Sequence, residues 1–404
     1  MPARRQPPPS ARRQLGVIYA MIAIDAACIA LIFPILPGLL RAMHRADEVA
    51  ALFGAMLALY ALMQFVFAPV LGVLSDRHGR RPVLLLSLAG STVDYLIMAF
   101  TPYVWLLFVA RAIAGLTAAT TTVATAFITD ITPEASRAGR FGLAQASFGV
   151  GFVLGPVIGG LLGGISLRDP FLAAAALNGA NLVMALFVLP ETHRPARAPV
   201  DWRALNPLAP LRWALTLRAL IPLLALLLLM SLVGQTYSTV WVLFVEDRFG
   251  WTTAEVGLSL GIFGALIVLA QTVAVRPLIR RLGERGTLLL GIACEGAALL
   301  VLAFARAGWI ALAVIPLIAF GGIGLPALRA LQTRVVDPAH QGRLQGVAAS
   351  LTNLAAIFGP LVFSAIYALS RPGWNGVVWI VGLAIYALAV PVVLAVPGKA
   401  GRGV

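Results

Sequence analysis

Two apolar runs, 51–71 and 83–100, are separated only by Gly72-Val-Leu-Ser-Asp-Arg-His-Gly-Arg-Arg-Pro82. Each run is about 20 residues, the length an α-helix needs to cross the hydrocarbon core of a bilayer. Each run therefore reads as a membrane-spanning helix. The basic segment is therefore a tight turn between two membrane helices, and its arginines mark the side it faces.

Composition extends this reading to the whole chain of 404 residues. Sixty per cent are hydrophobic and 11% charged, against about 25% charged in a soluble domain. The net charge of +14 fits membrane topology better than nucleic-acid binding, because the arginines sit mostly in loops and form no basic stripe interleaved with aromatics. The two cysteines, Cys28 and Cys294, both fall inside apolar spans and make no disulfide framework. The first apolar run follows Arg4, Arg5, Arg12 and Arg13, yet it carries Asp25 and lacks a small-residue cleavage site, so it reads as a span and not as a cleaved signal peptide.

Twelve spans can be marked: 15–40, 51–73, 83–101, 104–128, 141–163 and 171–189, then 219–245, 254–275, 286–305, 308–331, 344–369 and 374–397. The expected fold is an all-α polytopic membrane protein, with two six-helix bundles at 1–189 and 219–404 joined by a central loop at 190–218. That loop carries His193, Arg194, Arg197, Asp201 and Arg203. With the N-terminus inside, 22 basic residues fall on the inner side. Six fall outside: Arg41, Arg45, Arg168, Arg248, Arg306 and Arg371. The positive-inside rule then places both termini in the cytoplasm. One offset, 204 residues, relates Gly79 to Gly283, Gly142 to Gly346 and Gly155-Pro156 to Gly359-Pro360. Such a duplication encloses a substrate site near the midplane in many transporters.

Charges inside spans carry the function. An ionised side chain at the centre of a membrane helix costs at least about 2–3 kcal/mol, so it persists for a partner or for a function. Asp25, Asp94, Arg111 and Glu295 all occupy such positions. Structural pairing accounts for Arg111 with one acid, and Arg329 serves a second acid if it faces inward. Even so, three acids are not all compensated. A carboxyl in a low-dielectric cavity can load and release protons near neutral pH, which suits a proton-coupled transporter of cationic cargo. Gln64, Gln235, Ser238, Gln271 and Asn353 lie at similar depth and suit either substrate contact or interhelical hydrogen bonding. The four histidines lie in loops. The run Gly151-Phe-Val-Leu-Gly-Pro-Val-Ile-Gly-Gly160 spaces small residues for close helix packing, with Pro156 bending the helix. No nucleophile with a base, no metal-ligand cluster and no nucleotide loop is present, which argues against an enzyme. Gly321, Gly322 and Gly324 read as helix-packing glycines.

Together these residues resemble the tetracycline/proton antiporters of the major facilitator superfamily. Gly72–Pro82 matches the superfamily loop, and Gly151, Gly155, Pro156, Gly159 and Gly160 match the motif of proton-exchanging exporters. The stretches 57–64, Asp94-Tyr95, Asn206-Pro-Leu208, 240–249, 321–328 and 377–386 are similar to that subfamily. The resemblance implies export of a metal–tetracycline chelate with one positive charge, in exchange for protons, across the bacterial inner membrane. The divalent cation, Mg²⁺ or similar, travels with the substrate; no tightly bound cofactor, protein-held metal or nucleic acid is implied. Asp25, Asp94 and Glu295 match the proton-coupling carboxylates. Gln64, Asp94, Arg111 and Gln271 match substrate-side positions. Asp76, with Arg77, Gly79, Arg80, Arg81 and Asp130, matches the gate. The chain departs from the family at Glu295 (usually Asp), Ile267 (usually His), Ala118 and Thr121 (usually Gly) and Arg329 (usually Gln), which puts the substrate range in question. A major facilitator exporter with another cargo is the competing reading, and a sensor on a transporter scaffold is a third.

Overall fold

The computed structural model describes residues 9–43, 48–192 and 209–395. The stretch Asn206–Leu208, the central-loop charges from His193 to Arg203, and Arg45 lie outside the described residues. The described chain is helical throughout its spans: α1 (Pro9–Leu31), α2 (Leu36–Met43), α3 (Val49–His78), α4 (Arg80–Phe100), α5 (Val104–Leu116), α6 (Thr120–Ile131), α7 (Glu134–Gly163), α8 (Asp169–Val188), α9 (Ala209–Ala214), α10 (Ile221–Phe249), α11 (Thr253–Leu269), α12 (Val275–Phe304), α13 (Gly308–Gly321), α14 (Gly324–Val335), α15 (Gln341–Ser370) and α16 (Val377–Ala395). Eleven stretches are long and apolar enough to cross a membrane. One of them, Thr253–Phe304, is 52 residues long, far more than the roughly 20 needed for one crossing. It is interrupted at Gly283, where φ is 71°, so it supplies two crossings and the expected twelve are present.

The residues fall into two compact units. One lies within Met1–Ile35 and Met63–Leu205, the other within Leu36–Leu62 and Asn206–Val404. In the first, α1 packs along α7 and α4 along α8; in the second, α10 packs along α15 and α12 along α16. These are the same pairings, one repeat apart. The offset of 204 also joins two of the three described glycines with positive φ at links between membrane helices, Gly79 (φ 106°) and Gly283 (φ 71°); the third is Gly250 (φ 68°). A side chain is strained at such φ.

The duplication is clearest where helices break. The fourth and tenth spans, expected as continuous, are each two helices. The fourth breaks at Thr117–Ala119 and the tenth at Gly322–Ile323, again about 204 residues apart. A break inside a membrane frees backbone groups that need partners. In the first unit buried Ser87 supplies both: its hydroxyl donates to the Thr117 carbonyl, and its oxygen accepts from Ala119 N–H at 2.8 Å. In the second unit the corresponding residue is Gly291, where a Cβ would stand 2.8 Å from both the Gly321 carbonyl oxygen and the Gly324 nitrogen. One unit bonds the break through a side chain, and the other removes the side chain so that backbones touch. The first span is likewise broken, between Leu31 and Leu36.

Gly151, Gly155 and Gly159 lie one turn apart on α7 and face α1. A Cβ on them would strike the carbonyl oxygens of Ala23, Ala27 and Leu31 respectively. These glycines let the two backbones approach, and they fix α1, which carries Asp25. The minority arginines have structural roles as well. Arg168 donates to the carbonyls of Ala99, Phe100 and Thr101 at the end of α4, and Arg248 to that of Ala305 at the end of α12. Arg41 on α2 pairs with Glu246 and Asp247 of α10, and Arg371 also reaches Asp247. A guanidinium at a helix C-terminus satisfies carbonyls left over by the helix and suits its dipole.

A methyl group at Gly155 would strike the Ala27 carbonyl oxygen, the Ala30 Cβ and the Leu31 nitrogen, none of which can swing aside, whereas one at Gly142 meets nothing within 4 Å. Gly155→Ala is expected to destabilise the detergent-solubilised protein by about 1–3 kcal/mol, and Gly142→Ala to leave it unchanged or slightly stabilised. Equal melting temperatures for the two variants would refute close α1–α7 packing.

Candidate functional site

The four intramembrane charges separate into one pair and two lone acids. Asp94 on α4 and Arg111 on α5 form an ion pair, 1% and 7% exposed. This meets the pairing expectation for Arg111 and selects its partner. Asp94 Oδ2 receives the guanidinium, while Oδ1 has no hydrogen-bond partner, which leaves one lone-pair face open to another donor or cation.

Asp25 on α1 is also buried, and the Thr120 hydroxyl lies beside its carboxyl. Thr120 is the first residue of α6, immediately after the break in the fourth span. The break therefore brings a hydroxyl and the positive end of a helix dipole toward Asp25. Among the described residues no cation lies within ion-pair range of it. Cys28, one turn along α1, donates weakly to the Ala174 carbonyl at 3.7 Å.

Glu295 on α12, in the second unit, has the same character. Tyr386 of α16 donates its hydroxyl to the carboxylate. Gly321, at the end of α13, makes room for it, because a Cβ there would strike Glu295 Cγ. Tyr237 of α10 is a further neighbour. No cation pairs with Glu295 among the described residues. Arg329 is exposed and makes no ion pair among them, so it compensates neither lone acid. Ile267 packs against Gly322, with its Cδ1 2.9 Å from where a Cβ would stand. The two departures Glu295 and Ile267 thus meet at one corner, the break at Gly321–Gly322.

The uncharged candidates are less tightly held. Gln64 on α3 is half-buried, and Gln271 is exposed within a π-helical turn, Ala270–Ala274. Single π turns recur at functional sites. Gln235 accepts from the Ser238 hydroxyl at 3.2 Å and packs against Gly359.

At the basic loop of the first unit Arg80 is the centre. Its guanidinium pairs with Asp76, reaches Asp130 at 3.3 Å and donates to Ser75 at 3.2 Å. Arg77 is exposed and makes no ion pair among the described residues. Sequence reading missed Glu191. Its carboxylate accepts from the backbone N–H groups of Arg80 and Arg81, at 2.9 and 3.1 Å, so it caps the N-terminus of α4. A Cβ on Gly79 would collide with that carboxylate. The signal was a carboxylate at the end of the sixth span, Pro190-Glu191-Thr192, but nothing in the sequence says how near it comes to Gly79.

The second unit repeats this network with its charges inverted. Adding 204 to Asp76, Arg80 and Asp130 gives Arg280, Glu284 and Arg334. Glu284 pairs with Arg334 as Arg80 pairs with Asp130. Arg81 and Arg285 keep both sign and role, since each donates to a carbonyl near the end of its unit's last span, Leu186 and Leu394 respectively. Helix dipoles distinguish the two networks. Arg80 starts α4 and Asp130 lies in the last turn of α6, so both oppose the local dipole. Glu284 follows the Gly283 break and Arg334 lies in the last turn of α14, so both agree with it. Each such contribution is worth about 0.3–1 kcal/mol.

The Major Facilitator Superfamily pattern matches residues 16–270 and 223–402. The chain is 51% identical to the class C tetracycline resistance protein of Escherichia coli, over 93% of this chain and 95% of the relative. It is 48% identical to the class G tetracycline resistance protein of Vibrio anguillarum, over 93% of this chain and 96% of the relative. Among solved structures, the nucleoside transporter NupG superposes with a TM-score of 0.79 at 14% identity, covering 95% of this chain and 100% of that one. The human organic anion transporter MFSD10 superposes with a TM-score of 0.69 at 22% identity, covering 96% and 100%. Those two likenesses speak for the fold, and the sequence relatives narrow it to one branch. The chain belongs to the Major Facilitator Superfamily, among the tetracycline resistance proteins, and is a multi-pass membrane transporter and not an enzyme.

Proposed function

We propose that this protein exports tetracycline from the cytoplasm, as the chelate of Mg²⁺ or a similar divalent cation carrying one positive charge, in exchange for protons. The bacterial inner membrane, with both termini in the cytoplasm, is the setting this reading requires. The names of its relatives support the cargo. The observation that carries the exchange is the presence in each unit of one acid, Asp25 or Glu295, with no cationic partner among the described residues, beside a third acid that has one.

An unpaired carboxylate within a membrane can lose its electrostatic cost in two ways: it binds a proton, or it binds a cation. The two are mutually exclusive at one oxygen pair, and that exclusion is what couples cargo to proton. Asp94 has its charge balanced by Arg111, so this pair orients and discriminates; the open Oδ1 of Asp94 is the place for a cargo group. Thr120 and Tyr386 hold the lone acids in place without neutralising them. Gln64 and Gln271 offer neutral hydrogen bonds. The Asp76–Arg80–Asp130 network opens and closes with the cycle. Its charges oppose their helix dipoles, so it stands closer to breaking than the dipole-aligned Glu284–Arg334 pair, which acts as a fixed brace.

The test is uptake of labelled tetracycline with Mg²⁺ into inverted vesicles, with and without a proton gradient. Gradient-dependent uptake is expected for the natural chain, with loss in Asp25→Asn and Glu295→Gln despite normal insertion. Uptake that survives collapse of the gradient overturns proton coupling, and absence of tetracycline uptake with another drug transported overturns the cargo. Asp94 and Arg111 should behave as a unit. Arg111→Gln alone leaves a buried unpaired acid and is expected to cost about 3–5 kcal/mol of stability. The double variant Asp94→Asn/Arg111→Gln should recover most of that in thermal melts while transport stays low. Additive losses in the double variant refute the pair. For the networks, Arg80→Gln is expected to slow transport by about tenfold or more, and Glu284→Gln by less than about twofold, since a pair that stays closed throughout the cycle contributes equally to every state. Equal effects in the same vesicle assay contradict a moving network opposite a fixed one.

A further inference from the structure

The charge inversion leaves one part of the second unit unbalanced. In the first unit Asp76, Asp130 and Glu191 all face the Arg80–Arg81 corner. In the second unit the position of Asp76 is Arg280, so an acid has been replaced by a base. The nearby acid, Glu284, is held by Arg334, and Arg285 is held by the Leu394 carbonyl. Arg276, Arg280 and Arg281, on the first two turns of α12, are all exposed and have no ion-pair or hydrogen-bond partner among the described residues. The exposed stretch leading to them is mostly apolar, with Thr272 as its polar member on the same face. Leu269 is 56% exposed, Val273 62% and Leu282 51%. Leu269, Val273, Arg276 and Arg280 follow one another at helical spacing, so a single exposed face passes from hydrocarbon-compatible to strongly basic.

We infer that Arg276, Arg280 and Arg281 form a binding site for the phosphate headgroup of an anionic phospholipid, with its acyl chains lying along Leu269 and Val273. The lipid supplies the negative charge that Asp76 supplies in the first unit. The positive-inside bias alone explains arginines on this side of the membrane. It does not explain why three stand together without a carboxylate when the repeated segment has its own. Arginines clustered near a bilayer surface attract anionic lipid, and a guanidinium recognises a phosphate in bidentate fashion. The apolar stretch favours a lipid phosphate over a free one. This inference is independent of the cargo.

The experiment compares lipid retained by the purified full chain, extracted from bilayers of phosphatidylglycerol and phosphatidylcholine and weighed by native mass spectrometry. The natural chain is expected to retain phosphatidylglycerol selectively. R276Q/R280Q/R281Q is expected to lose that selectivity by about tenfold or more. The charge-matched R137Q/R140Q/R343Q is expected to keep it, since Arg137 is bonded to the Thr132 carbonyl and Arg343 lies over Trp213. Equal retention by the first variant and the natural chain overturns the site. Equal loss in both variants also overturns it, because net charge then suffices. Displacement of the lipid by millimolar inorganic phosphate shows a free-phosphate site and overturns the assignment to lipid.

Discussion

Arg111 lies at a depth where an unpartnered guanidinium would not persist, and the carboxylate of Asp94 beside it is what makes the position tenable. Pairing removes a large desolvation cost but also removes the charge as seen from a distance. The electrostatics of the whole molecule follow from how this is done unevenly. One acid is neutralised by a base, and two, Asp25 and Glu295, are held by a hydroxyl each, from Thr120 and Tyr386. A hydroxyl orients a carboxyl without cancelling it. The lone acids therefore keep a demand for positive charge that no cation among the described residues meets.

The helix breaks are what deliver those hydroxyls and notches. A straight fourth span would carry Thr120 past the level of Asp25 on a continuous helix, with its N–H bonded internally. The interruption at Thr117–Ala119 makes Thr120 a helix start instead. The tenth span uses its interruption differently: Gly321 ends α13 and opens the space that Glu295 enters. Both breaks sit one repeat apart, yet Ser87 bridges one and Gly291 makes way for the other. The two units share a backbone plan, and their side chains have diverged to hold different acids.

Much of this was legible in the sequence. Span length and hydropathy gave twelve crossings because a bilayer fixes how long an apolar helix must be. The offset of 204 was visible in three glycine positions, and it proved to relate turns, helix pairings and breaks as well. Gly151, Gly155 and Gly159 announced a packing face by their spacing. What could not be read was distance. Hydropathy does not register a break of two or three residues inside an apolar run, so the fourth and tenth spans looked continuous. The choice of Asp94 over Asp25 as the partner of Arg111 depends on which helices are neighbours. Glu191 was passed over because its role exists only through the turn at Gly79, and Tyr386 because an aromatic residue in an apolar span looks like packing.

The inverted network shows why duplication need not give two equally stable networks. Arg80 and Asp130 attract each other, but each stands at the helix end whose dipole repels it. Glu191 relieves part of this by placing a carboxylate on the N-terminus of α4, at the end of a different span. The closed form of the first network therefore depends on three helices staying in register, and a shift in any of them weakens it. Glu284 and Arg334 gain from their dipoles as well as from each other and need no third acid. A movement that strains both networks alike breaks the first before the second. In the exchange cycle proposed above, that difference in stability is the reason to look for the moving contact at the Arg80 network and for the fixed one at Glu284–Arg334.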